Sequence, residues 1–308
     1  AGIEAGDEVI VSPYTMSASA VAPLFYGGIP VFADVEEETY CLDPKSVEAK
    51  ITPKTKAIIV VDIFGQPYNV EAINALAKKH NLIVIEDAAQ APGAMYKEHF
   101  AGTLGDMGVF SLNYHKHIHS GEGGVIVTND DALANKLQLI RNHAESVIAN
   151  KGFSAPSELI NMVGFNFRMT EMECAVAREQ LKKLPALLEQ RLENVAYINE
   201  QLKCIPCLKS TTIREDSKHV FYAHAIEFDA IITGVHRDIF IKAVKAELPR
   251  TIMRDDSDVL IGCGYVKPIY LQPLFAHKIA FGSKGYPFNL SNISYQKGDC
   301  PVCESLHF

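Results

Sequence analysis

The chain has 308 residues, of which 48% are hydrophobic and 21% are charged, a composition typical of globular proteins that excludes a disordered tail or a minimal scaffold. Its 37 aspartates and glutamates outnumber its 29 lysines and arginines, so the formal net charge of -8 gives no global support for binding a nucleic-acid backbone. No apolar segment approaches the roughly 20 residues of a membrane-spanning helix, and we see no basic segment followed by an apolar one at the start; we therefore expect a soluble, cytoplasmic protein with no membrane or nucleic-acid partner.

The first two thirds of the chain alternate short apolar segments with helical patterns. Strands are predicted at Glu8–Ser12, Pro30–Asp34, Ala57–Val61, Leu82–Glu86, Gly108–Leu112 and Val125–Thr128, and amphipathic helices at Val70–His80 and Asp131–Asn142. Continuous valine and isoleucine segments joined by helices are typical of a mostly parallel sheet covered by helices on both faces. We therefore predict an α/β fold, with a ligand at the carboxyl ends of the strands.

A long helical pattern follows these strands. It runs from Thr170 to about Lys203, and Pro185 is expected to kink it. Beyond it, His219–Phe228 is predicted to form a strand and Arg237–Glu247 a helix.

These patterns divide the chain into two predicted domains. We expect a large domain at residues 1–199 and a smaller α+β domain at residues 200–308. The first residue is alanine and the last residues resemble the first turn of a helix. We therefore expect the N-terminal part of the large domain and the end of the small domain to be missing from this chain.

Seven cysteines, an odd number scattered along the chain, predict reduced thiols. Two C-x-x-C pairs, Cys204/Cys207 and Cys300/Cys303, could supply four tetrahedral zinc ligands. Each pair encloses a proline, however, and the two are far apart in sequence for a compact zinc module. We predict no metal site.

Polar side chains follow two of the predicted strands. Asp87 comes directly after Leu82–Glu86, where a carboxylate needs a cation or a strong donor, or else caps the next helix. Ser111 lies in the next strand along the chain, and Lys116 follows it. A lysine in this position is either a solvated surface residue or a nucleophile whose pKa is lowered by desolvation and nearby positive charge.

Three histidines and a glycine-rich segment surround this lysine. His115, His117 and His119 alternate, which would place them on one face of an extended segment, without an obvious carboxylate partner for a metal. Gly121–Gly124 contains three glycines and predicts a tight turn with positive φ. It precedes a strand instead of opening a helix, so it does not predict a phosphate-binding G-x-G-x-x-G loop.

Together these groups are the ones that a pyridoxal-phosphate site needs. A lysine holds the cofactor aldehyde, an aspartate keeps the pyridine nitrogen protonated, and a hydroxyl binds the phosphate. The protonated ring is an electron sink for the carbanion formed when a proton leaves the adjacent carbon, and the released lysine amine can carry that proton.

The segments GDEVIVSPYTMSASA, VIEDAAQAPGAMY, GTLGDMGVFSLNYHKHIHSGEGGVIVTND and GFNFRMTEMECAVA, with the tail GYPFN…CPVCESL, resemble in order those of the DegT-type nucleotide-sugar aminotransferases, pyridoxal-phosphate enzymes of fold type I. The resemblance covers nearly the whole chain and is strongest from Gly6 to about Leu188. It implies that Lys116 holds the cofactor. Relatives that remove a hydroxyl have a histidine at this position, so the lysine favours transamination.

The resemblance also implies roles for five other residues. Asp87 should pair with the pyridine nitrogen, Gln90 should contact the 3-oxygen of the ring, and Ser111 should bind the phosphate. Met16 stands where the family usually has an aromatic residue stacked on the ring, and a thioether can still cover a ring. Asn166, in the N-F-R motif, should reach the cofactor phosphate of the other subunit, which implies a homodimer with active sites at its interface.

The implied function is transfer of an amino group, from glutamate, to a keto group of a nucleotide-linked deoxysugar. Two other enzyme functions remain open, a sugar dehydratase that uses pyridoxamine phosphate and an aminotransferase acting on a cyclitol. A binding or regulatory protein on the same fold is a third possibility. In the second domain, His219, Tyr222, Tyr265 and Tyr270 are candidate pocket residues that could equally belong to the core.

Overall fold

A computed structural model describes residues 1–144, 163–250 and 259–308. Its strands are β1 (Glu8–Val11), β2 (Ile29–Phe32), β3 (Thr55–Val61), β4 (Ile83–Asp87), β5 (Met95–Tyr96), β6 (His99–Phe100), β7 (Met107–Ser111), β8 (Gly124–Val127), β9 (Leu208–Ser210), β10 (Ser217–Lys218) and β11 (Ile226–Phe228). Its α-helices are α1 (Ala18–Val21), α2 (Pro44–Lys50), α3 (Val70–His80), α4 (Asp131–Arg141), α5 (Glu171–Leu202), α6 (Ala230–Thr233), α7 (Arg237–Glu247), α8 (Pro273–Ala276) and α9 (Pro301–His307).

The central sheet has six strands in the order β2-β1-β3-β4-β7-β8. Neighbouring strands are parallel except for β7 and β8, which are antiparallel. The predicted α/β fold with a mostly parallel sheet is therefore confirmed. Asp87 lies opposite Val61 of β3 and Val109 of β7, so the carboxyl ends of these three strands meet at one edge of the sheet.

The sequence explains why these strands and helices form. Ile10, Ile58 and Val60 are completely buried, as expected for apolar strands covered on both faces. In helix α3 the Asn69 side chain caps the first turn, and Asn81 ends the helix in a left-handed conformation with φ 54°. The observed bounds of α3 and α7 are those predicted from the hydrophobic pattern.

The long helix α5 begins with a capping box, in which the side chains of Thr170 and Glu173 bond each other's backbone N–H. The helix continues on both sides of Pro185, so the proline does not end it. Its buried side chains are Leu184, Leu188 and Val195. Much of the apolar surface of α5 is therefore left exposed.

The prediction of one strand at His219–Phe228 was wrong. Only its last three residues form a strand, β11, which pairs with β9. Before them, the backbone N–H groups of Val220 and Tyr222 donate to the carbonyls of Gly65 and Phe64. Phe221 between them has φ 48°, which ends the extended conformation. The backbone of this segment thus bonds to the turn after β3 instead of to a neighbouring strand.

The last forty residues pack against the first strands. Asp34, after β2, accepts the backbone N–H groups of Val302 and Cys303 at the start of α9. One hydrophobic cluster joins strands β1 and β2 to this part of the chain through Ile269, Tyr270, Phe275, Phe288, Tyr295, Cys300 and Cys303. The proposed domain boundary after residue 199 stays a prediction.

All seven cysteines are free thiols, and Cys300 and Cys303 are buried in that cluster, whereas Cys204 is exposed. In the part of the chain that the structure describes, no three His, Cys, Asp or Glu side chains are grouped as a metal site would require. Within the same residues, no helix combines the length and hydropathy needed to cross a bilayer.

Candidate active site

The carboxyl edge of the sheet brings together two of the predicted site residues. Asp87 is the last residue of β4, and Lys116 follows the neighbouring strand β7. Lys116 is half-buried, and the loss of water around its amine lowers its pKa, while the negative charge of Asp87 opposes that shift. The negative charge of Asp87 therefore acts on the amine of Lys116.

The alternation of histidines predicted an extended segment around Lys116. The structure has a turn there instead. The backbone N–H of Lys116 donates to the carbonyl of Asn113 at 2.9 Å, which closes a turn directly after β7. The Asn113 side chain donates to Glu122 Oε1 at 2.8 Å, and Gly121 has φ 91°. The predicted tight glycine turn is therefore present and holds the segment that carries the lysine.

An aromatic ring lies beside the lysine. The Nζ atom of Lys116 is 4.7 Å from the ring centroid of Tyr222, close enough for a cation–π contact. The rings of His117 and Tyr222 meet edge to face at 5.8 Å. Burial, helped by the positive charge of Arg191, lowers the pKa of His117 to about 4, so this histidine is neutral at pH 7.

The carboxylate of Asp87 is held by two donors. The hydroxyl of Ser19 donates to Oδ2 at 2.6 Å, and the backbone N–H of Ala89 donates to Oδ1 at 3.1 Å. Ser19 belongs to the short helix α1 and is 7% exposed. Ser19 was not among the predicted site residues, because 68 residues separate it from Asp87 and nothing in the local pattern indicates their contact.

Gln90 is buried, and both ends of its amide are bonded. Oε1 accepts the backbone N–H of Phe64 at 2.7 Å, and Nε2 donates to the hydroxyl of Tyr265 at 2.8 Å. The ring of Tyr265 packs edge-on against Phe64 and Tyr14, with centroids 4.9 and 5.5 Å apart. These contacts occupy Oε1 and one N–H of the Gln90 amide, and they bring Tyr265 close to the end of β4.

Of the three other predicted residues, Ser111 lies at the same edge of the sheet, whereas Met16 and Asn166 are exposed. Ser111 ends β7 and its Oγ accepts the backbone N–H of Asn113 at 3.2 Å, so its O–H can donate elsewhere. Met16 precedes α1 and is 61% exposed, and its sulfur accepts the N–H of Ala18. Asn166 is exposed and pairs with Asn142 in an isolated β-bridge after α4.

Two further carboxyls lie beneath Asp87 and were not predicted as special. Glu86 is completely buried and accepts backbone N–H groups from Gly102, Leu104 and Gly105 at 2.5–2.6 Å. Asp62 is also completely buried, and burial together with the nearby charge of Glu86 raises its pKa well above its ordinary value. Its backbone N–H donates to the carbonyl of Asp87. Glu86 therefore bonds the turn before β7, and both carboxyls are buried away from solvent.

The chemistry of these donors fits pyridoxal phosphate. The site offers a primary amine with a lowered pKa, a carboxylate oriented by two donors, an amide N–H and a serine O–H. These are the groups needed for an aldehyde carbon, a pyridine nitrogen, a ring oxygen and a phosphate.

Comparison with known proteins agrees with this chemistry. Residues 1–288 match the sequence profile of the DegT/DnrJ/EryC1/StrS aminotransferase family. GDP-perosamine synthase of Caulobacter vibrioides is 37% identical over 246 residues, which cover 80% of this chain and 64% of that protein. The L-glutamine:2-deoxy-scyllo-inosose aminotransferase of Streptomyces lividus is 34% identical over 255 residues, which cover 82% and 60%. The X-ray structure of an aminotransferase from Psychrobacter cryohalolentis is similar with a TM-score of 0.82 and 32% identity, covering 99% of this chain and 75% of that one.

Proposed function

The chain belongs to the DegT/DnrJ/EryC1/StrS aminotransferase family, and from this premise we propose that it transfers an amino group from glutamate to a keto group of a nucleotide-linked deoxysugar. It is a sugar aminotransferase of fold type I, and pyridoxal phosphate is its cofactor. The observation that carries the proposal is the half-buried amine of Lys116 beside Asp87 at the carboxyl edge of the sheet.

We assign the proton transfer to Lys116. When bound, pyridoxal phosphate supplies an electron sink that lets a proton leave the carbon attached to the transferred nitrogen. Lys116 would hold the cofactor through Nζ, and the same amine would accept and return that proton. Because desolvation lowers the pKa of Lys116, a larger fraction of its amine is uncharged and able to accept the proton.

Four side chains would bind and orient the cofactor. The carboxylate of Asp87 would pair with the pyridine nitrogen and favour its protonated form. The second N–H of Gln90 would donate to the 3-oxygen of the ring, and the O–H of Ser111 would donate to the phosphate. The thioether of Met16 would cover one face of the ring in place of an aromatic side chain.

The active enzyme would be a homodimer. In this proposal Asn166 reaches the cofactor phosphate of the second subunit. Support comes from the apolar side chains on both sides of Asn166 in sequence: Val163, Phe167 and Met172 are 67%, 64% and 79% exposed. Large apolar side chains exposed this close together are typical of a surface that another protein covers.

The keto substrate has two candidate classes. GDP-perosamine synthase, whose name refers to a nucleotide-linked sugar, supports a sugar nucleotide. The 2-deoxy-scyllo-inosose aminotransferase supports a cyclitol ketone as the second candidate, with glutamine as the donor. The higher identity to the former favours the sugar nucleotide.

The test follows the amino group through both halves of the reaction. The purified protein is loaded with pyridoxal phosphate, and the loss of its visible absorbance on adding L-glutamate or L-glutamine identifies the donor. The amine form is then mixed with a panel of 4-keto sugar nucleotides or with 2-deoxy-scyllo-inosose, and the product is identified by mass.

An amino sugar nucleotide formed with return of the visible band supports the proposal. An aminated cyclitol alone would replace the sugar nucleotide by the second candidate, and a deoxygenated sugar would indicate a dehydratase. A colourless protein that responds to neither donor would favour a binding protein on this fold. The Lys116→Ala variant is the control for each measurement.

A further inference from the structure

The hydrogen bond between Ser19 and Asp87 is short and protected from water. Its oxygen–oxygen distance of 2.6 Å falls in the range of an O–H group donating to an ionised carboxylate. Ser19 is 7% exposed and Asp87 is half-buried, so solvent competes poorly for the same lone pair. Hydrogen bonds to charged groups are roughly twice as strong as those between neutral groups.

The bond controls the orientation of a side chain whose backbone is already fixed. Asp87 pairs with β3 on one side and β7 on the other, so its backbone is set by the sheet. Its side chain retains two rotatable bonds, and the carboxyl torsion is broad. Ser19 holds Oδ2 while the N–H of Ala89 holds Oδ1, so the two donors together define both torsions.

Ser19 reaches Asp87 on a short segment that also carries a proposed cofactor contact. Met16, which we assign to a face of the cofactor ring, precedes Ser19 by three residues. The backbone N–H groups of Ala20 and Val21 donate to the carbonyl of Ser17. These bonds close a turn that begins directly after Met16 and contains Ser19. The ring-face contact and the donor to the carboxylate therefore depend on the same turn.

We propose that Ser19 is a positioning residue that aims the carboxylate of Asp87 at the pyridine nitrogen of the cofactor, an inference that rests on the proposed role of Asp87. Without the Ser19 hydroxyl, Oδ2 loses its donor and the carboxylate can rotate away from the ring. The pyridine nitrogen of a bound cofactor would then be protonated for less of the time, and its ring would be a weaker electron sink. Ser19 itself touches no reacting atom.

The experiment separates this role from a merely structural tie between α1 and β4. Pyridoxal phosphate labelled with ¹⁵N in its ring is bound to the wild type and to Ser19→Ala, Ser19→Cys and Ser19→Thr. The ¹⁵N chemical shift reports protonation of the ring nitrogen, absorbance titration gives the Kd of the cofactor, and the rate with L-glutamate is measured in a single turnover. Cysteine keeps the size of serine but is a weak donor, and threonine keeps the hydroxyl.

We expect Ser19→Ala and Ser19→Cys to move the ¹⁵N signal toward the unprotonated position and to slow the half-reaction by about tenfold to a hundredfold, the effect of one hydrogen bond to a charged group. Ser19→Thr should restore both values. Ser12 provides a matched control, since it is a buried serine whose Oγ accepts the N–H of Tyr14 instead of facing Asp87. Ser12→Ala should leave the ¹⁵N signal unchanged.

A normal ¹⁵N signal and rate in Ser19→Ala and Ser19→Cys, with only a lower Tm, would overturn the positioning role while leaving the proposed function intact. If Ser19→Ala does not fold, Ser19→Cys and Ser19→Thr still distinguish the positioning role from a merely structural one. A wild type whose ring nitrogen is unprotonated, or does not change in Asp87→Asn, would instead overturn the assigned role of Asp87 and the present inference with it.

Discussion

Replacing Asp87 by asparagine removes one negative charge while keeping the shape of the side chain. The asparagine Oδ1 can still accept the N–H of Ala89, and the Ser19 hydroxyl can rotate to accept from Nδ2. We therefore expect the free energy of unfolding of the apo-protein to change by no more than about 1 kcal/mol. The effect on the cofactor should be much larger.

The size of that effect follows from the lost charge. An opposite charge at hydrogen-bond distance shifts a pKa by about 1–3 units, and one unit corresponds to about 1.4 kcal/mol. The pyridine nitrogen of the bound cofactor should lose this stabilisation of its protonated form in Asp87→Asn. If the electron sink weakens by the same amount, the single-turnover rate with L-glutamate falls by about tenfold to a thousandfold.

The assay is stopped-flow absorbance on wild type and Asp87→Asn, both saturated with pyridoxal phosphate. Because Lys116 still attaches the cofactor, the visible band should persist in the variant, and the loss should appear in the rate and not in the amount of bound cofactor. Asp131→Asn, at the exposed start of α4, serves as a charge-matched control. A rate within about twofold of the wild type at unchanged Tm would refute the pairing of Asp87 with the pyridine nitrogen.

Three further predictions concern other parts of the molecule. Lys116→Ala should lose the visible band and release pyridoxal phosphate on dialysis, and retention of the band would contradict covalent attachment through Lys116. Because burial and the charge of Glu86 raise the pKa of Asp62, the folded protein holds a proton there that the unfolded chain releases, so the stability it contributes falls as pH rises above the unfolded pKa. Asp62→Asn should therefore gain stability relative to wild type by about 1.4 kcal/mol per pH unit between the two pKa values, and parallel plots of Tm against pH would show that Asp62 does not titrate in this way. Met172→Asp should convert a homodimer to monomers, as measured by light scattering, whereas Lys203→Asp, beyond the other end of α5, should not. A monomeric wild type would contradict the proposed homodimer.

The pattern of the sequence was sufficient for the central sheet. Strands β1, β3 and β4 contain continuous runs of valine and isoleucine, and such runs are typical of a parallel sheet covered on both faces. The placement of Asp87 and Lys116 at one edge also follows from the sequence, because parallel strands end on the same side. The prediction of one strand at His219–Phe228 failed, since alternation cannot show that the turn after β3 provides the hydrogen-bond partners of this segment.

The contacts that orient the site were decided by the tertiary structure alone. Ser19 meets Asp87 across 68 residues, Gln90 meets Tyr265 across 175, and the Tyr222 ring lies beside Lys116. Hydrophobic periodicity records which face of a strand or helix is buried, and it depends on neighbours a few residues apart. Contacts between two distant loops depend on how whole helices and strands pack. The sequence therefore determined which chemical groups lie at the end of the sheet, and packing determined which hydrogen-bond donors orient those groups.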